Sequence, residues 1–221
     1  MGKLDRVGTE GADELLLARI QDIVDTCAQR CIPKFTAFLD ESQVFAISRY
    51  LEKNAVSGYC FWGGYSGAKR QMLGVFPEYM EPSGEHFPVA AFTITYRAVD
   101  KLSHRDFLGS LMALQIKREA VGDILVSEGV CSLFTTDKVA PLVLSEIQKI
   151  GRTGVKVEPG LLTEPIAEEK FLDISGTVAS MRLDCVISLL TGKSREKTNE
   201  LIKSGIVSVN YQVCENNSMS V

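Results

Sequence analysis

Histidine is nearly missing from this chain: His86 and His104 are the two among 221 residues. The six cysteines (Cys27, Cys31, Cys60, Cys131, Cys185, Cys214) include no C-x-x-C pair. A zinc site is therefore poorly supplied, and the thiols read as reduced cytosolic cysteines with no metal or cofactor expected. No apolar run is long enough to span a bilayer, and no signal-peptide pattern opens the chain, so the expected setting is cytoplasmic, without a membrane partner. A basic excess is lacking too. Lys and Arg number 24 against 28 Asp and Glu, a net charge of −4 that argues against a general nucleic-acid sponge. The G-x-x-x-x-G-K-[ST] spacing is absent, and no glycine-rich cofactor loop joins a strand to a helix, which argues against P-loop and methyltransferase chemistry.

What is present is enough apolar residue, 45% of the chain, for two compact units. Leu16, Ile20, Ile23 and Cys27 keep the helical period until Pro33 breaks it, and Asp40-Glu41-Ser42 starts a second helix with Val44, Ile47 and Leu51 on one side. Strands are expected over 58–62, 71–76, 89–96, 123–126, 130–135 and 154–157, with helices over 105–114 and 137–150.

The last forty residues are the most informative. Leu183, Val186, Ile187 and Leu190 form an apolar helical stripe, Gly192 suits the position past a helix end, and Ser194 can cap the next helix. On that helix Thr198, Leu201 and Ile202 are expected inward, and Arg195, Asn199 and Lys203 outward. A strand over 206–210 follows Gly205. Between 181 and 205 cations outnumber acids: Arg182, Lys193, Arg195, Lys197 and Lys203 against Asp184, Glu196 and Glu200.

Arg182-Leu183-Asp184, Ser194-Arg195, Leu201-Ile202-Lys203-Ser204-Gly205 and Val207-Ser208-Val209-Asn210 resemble the alpha-L or S-four RNA-binding motif, over roughly a fifth of the chain. In that family two helices and the loop into the strand form a surface that sits on structured RNA. The resemblance implies RNA contacts from Arg182, Lys193, Ser194, Arg195, Lys197, Asn199, Lys203, Ser204, Gly205 and Asn210. Tyr211 stands where the family has glycine, and it tolerates positive φ poorly. The chain also stops before the closing strands of such a domain.

Two motifs lie in the middle of the chain. Gly63-Gly64-Tyr65-Ser66-Gly67-Ala68-Lys69-Arg70 reads as a turn between strands, with a phosphate-approaching loop as the competing reading. Ser103-His104-Arg105-Asp106 starts a helix, where Asp106 can cap and the cations suit an anion. Lys117-Arg118 stands as either a solvated helix end or a phosphate contact.

Together these stretches, with Leu102–Gly109 and Lys117-Arg118-Glu119-x-x-Gly122-Asp123-Ile124, resemble the bacterial YlmH family over nearly the whole chain. Two positions depart from its pattern: Lys69 replaces an acidic residue, and Gln115 replaces a glycine, which predicts a differently shaped helix end. The resemblance implies an α+β fold with a helical part over 1–55, a mixed α/β RNA-binding domain over 56–157, a linker over 158–170 and an S-four unit, cut short, over 171–221. It further implies a non-catalytic, ribosome-associated protein of quality control, on large subunits that still hold peptidyl-tRNA. Lys69, Arg70, His104, Arg105, Lys117 and Arg118 are then a second RNA or partner surface. The competing classes are an RNA-modifying enzyme of the pseudouridine synthase type, whose arginine-leucine-aspartate signature Arg182-Leu183-Asp184 resembles, and a cell-division interaction module.

Overall fold

The computed structural model describes residues 4–162 and 172–221. The chain forms two compact units, Met1–Ala167 and Glu168–Val221, and the fold is α+β.

In the first unit α1 (Leu4–Arg30) turns the stripe Leu16, Ile20, Ile23 and Cys27 inward, with Ile20 and Cys27 wholly buried. Beyond Pro33 comes a two-residue strand, β1 (Lys34–Phe35), too short for any alternation to announce it. Asp40 caps α2 (Glu41–Lys53): its carboxylate accepts the Gln43 N–H at 2.9 Å, and the Gln43 side chain accepts the Asp40 N–H at 3.0 Å. Strands β2 (Tyr59–Trp62) and β3 (Met72–Val75) complete an antiparallel sheet in the order β1-β3-β2. Central β3 is buried on both faces. Leu73 and Val75 meet the two helices, while Met72 points to an aromatic layer on the other side.

The second sheet is built from β4 (Val89–Thr95), β5 (Val121–Ser127), β6 (Val130–Thr136) and β9 (Lys156–Pro159), antiparallel in the order β5-β6-β4-β9. Helix α3 (His104–Ala113) precedes β5; α4 (Ala140–Glu146) and the small hairpin β7 (Lys149–Ile150) and β8 (Thr153–Gly154) precede β9. One face packs Phe92, Ile94 and Leu133 against Phe107, Leu111 and Val143 of the helices. The opposite face sends Phe134 into the aromatic layer, among Phe38, Tyr65, Phe76 and Phe87. The layers therefore run helices, sheet, aromatics, sheet, helices. Each such ring or large aliphatic chain taken out of water contributes about 1.5–3 kcal/mol.

Three expectations need correction here. The helix foreseen over 137–150 is a single 3-10 turn, Asp137–Val139, followed by α4, and it stops at Ile147, whose ψ of 88° leaves the helical region. Ile150 is then buried as part of β7, because the left-handed Gly151 (φ +59°) folds the chain back. The strand foreseen over 154–157 is split between β8 and β9. The end of α3 keeps the shape a glycine would give: Gln115 itself adopts φ +60°, its N–H reaches the Met112 carbonyl at 2.9 Å, and the Ile116 N–H reaches Leu111 at 3.3 Å. That is a Schellman closure, and the burial of both Ile116 and Leu111 in one core holds it against the left-handed strain.

Residues 158–162, assigned to the linker from composition, extend β9 and stay on the sheet through Gly160 N–H to the Ala91 carbonyl at 2.8 Å and Leu162 N–H to Thr93 Oγ1 at 3.2 Å. The remaining linker residues lie outside the described ones. Among the described residues no helix is long and apolar enough to cross a membrane.

The second unit is two helices and a hairpin: α5 (Leu183–Thr191), α6 (Arg195–Lys203), β10 (Ser208–Val209) and β11 (Gln212–Val213). Gly192 closes α5 at φ +64°, and Ser194 Oγ accepts the Lys197 N–H at 3.4 Å, as the sequence predicts. Leu183, Ile202 and Cys214 form its core, flanked by Ile187, Val207 and Val209. The strand expected over 206–210 is only β10, because Asn210 (φ +50°) and Tyr211 (φ +65°) turn the chain immediately. Positive φ at both central residues is the tight-hairpin geometry, so Tyr211 adopts the glycine-like conformation after all. The chain then returns to α5, with Leu183 N–H on the Met219 carbonyl at 2.8 Å and Val221 N–H on Met181 at 2.9 Å.

Replacing exposed Gln115 by glycine should relieve left-handed strain of about 1–2 kcal/mol, offset in part by glycine's larger unfolded freedom. A net gain of about 0.5–1 kcal/mol in urea unfolding is expected for Gln115→Gly; a loss would show that Gln115 makes compensating contacts.

Candidate functional site

In the second unit, Asp184 sits one position into α5 and is 1% exposed. A carboxylate there gains from the helix N-terminus, but burial requires partners. It accepts five hydrogen bonds. Arg182 donates Nε to Oδ1 at 3.0 Å and Nη2 to Oδ2 at 3.1 Å; Arg195 donates Nε and Nη2 to Oδ2 at 3.1 and 3.0 Å; the Cys185 N–H adds Oδ1 at 3.0 Å. The Arg182 hydrogen bonds, with those of Arg195, hold its carboxyl well below the ordinary range despite burial. One acid thus ties the start of α5 to the start of α6 and fixes two guanidinium planes, each still 41% and 65% exposed respectively.

Among the described residues, the other cations of this unit lie on the turn and on α6. Lys193, Ser194, Lys197, Lys203 and Ser204 are exposed, and Ser188 Oγ holds the turn by donating to the Lys193 carbonyl at 2.7 Å. A shallow groove of about 330 Å³ is lined by Lys193, Lys197, Glu200, Leu201 and Ser204. Thr198 and Ile202 face inward as expected, while Leu201 is half-buried at the groove. Asn199 is also half-buried, and its Oδ1 has no hydrogen-bond partner. Gly205 takes φ +72°, and Asn210 is exposed in the hairpin turn. The structure joins Arg182 to Arg195 and Lys193 to Lys197 and Ser204.

In the first unit the glycine-rich loop binds an anion, and that anion is internal. Asp123 on β5 is buried, and its Oδ2 accepts the Tyr65 hydroxyl at 2.8 Å and the Lys69 N–H at 2.7 Å, while Oδ1 accepts the Arg70 N–H at 3.2 Å. Burial, then the hydrogen bond to Asp123 and its charge, push the Tyr65 phenol well above its usual range. Gly63 and Gly64 are required by packing. A Cβ on the first would stand 2.3 Å from the Arg70 carbonyl oxygen, and on the second 2.5 Å from the Phe134 ring. The strand-to-strand turn is the reading the structure favours.

Arg70 continues inward: Nε donates to the Val121 carbonyl at 3.0 Å and Nη2 to Phe38 at 3.2 Å. Arg118 Nη1 donates to the same Val121 oxygen at 2.8 Å. Both guanidiniums are half-buried, and burial lowers both acidities' midpoints, with Arg70 lowering that of Arg118 further. Lys69 is exposed; Lys117 is exposed beside Glu119 at 4.0 Å. His104 and Arg105 are exposed on the first turn of α3, where Asp106 accepts both the Ser103 N–H at 2.8 Å and its hydroxyl at 2.6 Å. Arg105 and Lys149 both line an open groove of about 480 Å³. Lys149 escaped the sequence reading because it was placed inside a helix.

Comparisons with known proteins agree with this architecture. A family model described as "Putative RNA-binding domain in YlmH" matches residues 82–164, which span the four-stranded sheet and its helices. The chain is 34% identical over 194 residues to a Bacillus subtilis (strain 168) protein named ribosome-associated protein quality control protein P2, covering 85% of this chain and 74% of that one. The solved structure of cell division protein ylmH from Streptococcus pneumoniae superposes with a TM-score of 0.61 at 21% identity, over 70% of this chain and 94% of that one. That likeness is one of fold.

Two substitutions test the buried acids. Asp123→Ala would strand the Tyr65 hydroxyl and two backbone N–H groups, and unfolding of the first unit should become easier by about 2–4 kcal/mol. For Asp184 the folded pKa is depressed, so its stabilisation is complete above the unfolded value of about 4 and is lost as pH falls below it. Circular dichroism of the parent chain should therefore show the second unit weakening on acidification below that pH. Asp184→Asn should be less stable at neutral pH and lose this acid dependence; an unchanged acid profile would overturn the assignment.

Proposed function

The chain belongs to the YlmH family, and from that premise we propose that it is a ribosome-associated RNA-binding protein that docks on structured RNA of the large subunit through its S-four unit. The observation that carries this reading is the arginine pair held by buried Asp184 next to the exposed Lys193 and Lys197. Preset guanidinium planes suit phosphate oxygens, because the side-chain ordering is already complete before binding. A-form RNA hides its base edges in a deep groove, so contact with phosphates and 2′-hydroxyls is the mode such a surface serves. Lys203, Ser204, Gly205, Asn199 and Asn210 supply the remaining contacts of this proposed face. The name of the Bacillus subtilis relative, a ribosome-associated quality-control protein, supports the same assignment, and the proposal extends to large subunits that still hold peptidyl-tRNA.

The reading is non-catalytic and places the protein in the cytoplasm. Asp184 is the acid of the one triplet that resembles a pseudouridine synthase signature, and it is spent on Arg182 and Arg195 instead of being open to a substrate. Of the six residues expected at a second RNA or partner surface, Lys69, His104, Arg105 and Lys117 are exposed and are proposed as contacts, whereas Arg70 and Arg118 donate to internal backbone carbonyls. Two modest surfaces on one chain bind far more tightly than either alone.

The test is co-sedimentation with purified bacterial large subunits across a salt series. Saturable binding is expected, with a log–log salt slope of roughly 0.7–0.9 per phosphate neutralised. Arg182→Ala/Arg195→Ala/Lys203→Ala should lower both affinity and slope. Binding by a folded triple variant equal to that of the parent chain would sink the reading.

A further inference from the structure

A groove of about 540 Å³ in the first unit lies between α1, which contributes Leu16, Arg19 and Ile23, and the extended stretch around Ala37, with Arg70 and Arg118 in its lining. The shared Val121 carbonyl holds these two guanidiniums side by side. Neither has a carboxylate partner within 4 Å among the described residues. Of the two acids bordering the groove, Asp40 caps α2 through Gln43 N–H and Ser42 Oγ and reaches Arg70 only through space, and Glu119 lies 4.0 Å from Lys117. Asp123 likewise acts on both guanidiniums only through space; two half-buried like charges held on one carbonyl still repel each other, and an entering anion offsets that cost.

We propose that this groove is a nucleotide site, in which Arg70 and Arg118 take the phosphate of an unpaired RNA nucleotide and the apolar wall of α1 takes its sugar and base. The volume lies in the range of small-ligand sites, about 300–1,000 Å³. Two forked cations match a phosphate group better than a single carboxylate. Arg19, exposed at the rim, adds a third positive charge. The RNA source rests on the proposed RNA-binding function, whereas the phosphate preference rests on the arginine pair alone.

The experiment titrates the full chain with 5′-AMP, adenosine, an A-A-A trinucleotide and an acidic hexapeptide, by isothermal calorimetry and amide NMR. AMP and the trinucleotide should saturate below about 1 mM, with adenosine at least about tenfold weaker. Ala37→Trp adds bulk at an exposed position of the groove lining and leaves both arginines in the sequence, and it should weaken AMP by at least about tenfold. Arg19→Glu should weaken it by a smaller factor, and both variants should keep the parent's circular dichroism. The triple variant of the S-four face should bind AMP like the parent, which separates this site from the large-subunit docking. Failure of AMP to saturate, adenosine binding as tightly as AMP, or AMP binding unchanged in both groove variants would overturn the site. AMP binding without trinucleotide binding, or equal competition by the hexapeptide, would overturn the RNA source.

Discussion

The first unit hangs on the Asp123 carboxylate. It is the point at which the loop between β2 and β3 is fastened to β5, and hence at which one sheet is fixed against the other. The aromatic layer alone would leave the two sheets free to slide, since apolar contact has no direction. Three hydrogen bonds to a buried charge do have direction, and they set where Tyr65 stacks on Phe134, with centroids 4.8 Å apart. From there the main chain of Arg70 is placed, and its side chain then stitches Val121 to Phe38. Removing the carboxylate would unpair several groups at once.

The second unit repeats the device on a smaller scale. Its core is only a handful of side chains around Leu183 and Ile202, so hydrophobic burial is weak. The Asp184 cluster supplies what the core lacks, joining α5 to α6 by directed bonds. In both units, then, a buried acid fastens separate segments by directed bonds: Asp123 through a hydroxyl and two backbone N–H groups, Asp184 through two guanidiniums. The difference lies in exposure. In the first unit the tied arginines are half-buried beside a groove, and in the second they stand at the surface.

Much of this was legible locally. The stripe of α1, the Asp40 cap, the Gly192 stop and the Ser194 cap are each decided within a few residues, and the chain folds as those signals direct. The ends of elements were harder. Ile150 has the burial of a helical stripe residue but belongs to a strand, because Gly151 turns the chain, and periodicity over so short a run cannot separate the two. Gln115 and Tyr211 read as obstacles to left-handed turns; packing of Ile116 on Leu111 settles the first, and the hairpin pairing of Ser208 with Val213 accompanies the second.

The acid anchors were the least legible, since a side chain's partner cannot be read from its neighbours. The glycine-rich loop reads first as a turn between strands, with an anion-approaching loop as the competing reading. It could not announce that the anion lies 54 residues onward on β5. The same holds for Arg195, whose partner precedes it by 11 residues and a whole helix. Residue types fix which chemistry is available, and only the fold decides whether a charge is spent inside the molecule or offered outside it. By that criterion Lys193 and Lys197 are offered, Asp123 and Asp184 are spent, and Arg70 and Arg118 are half of each, which is why a groove beside them is a place for a ligand.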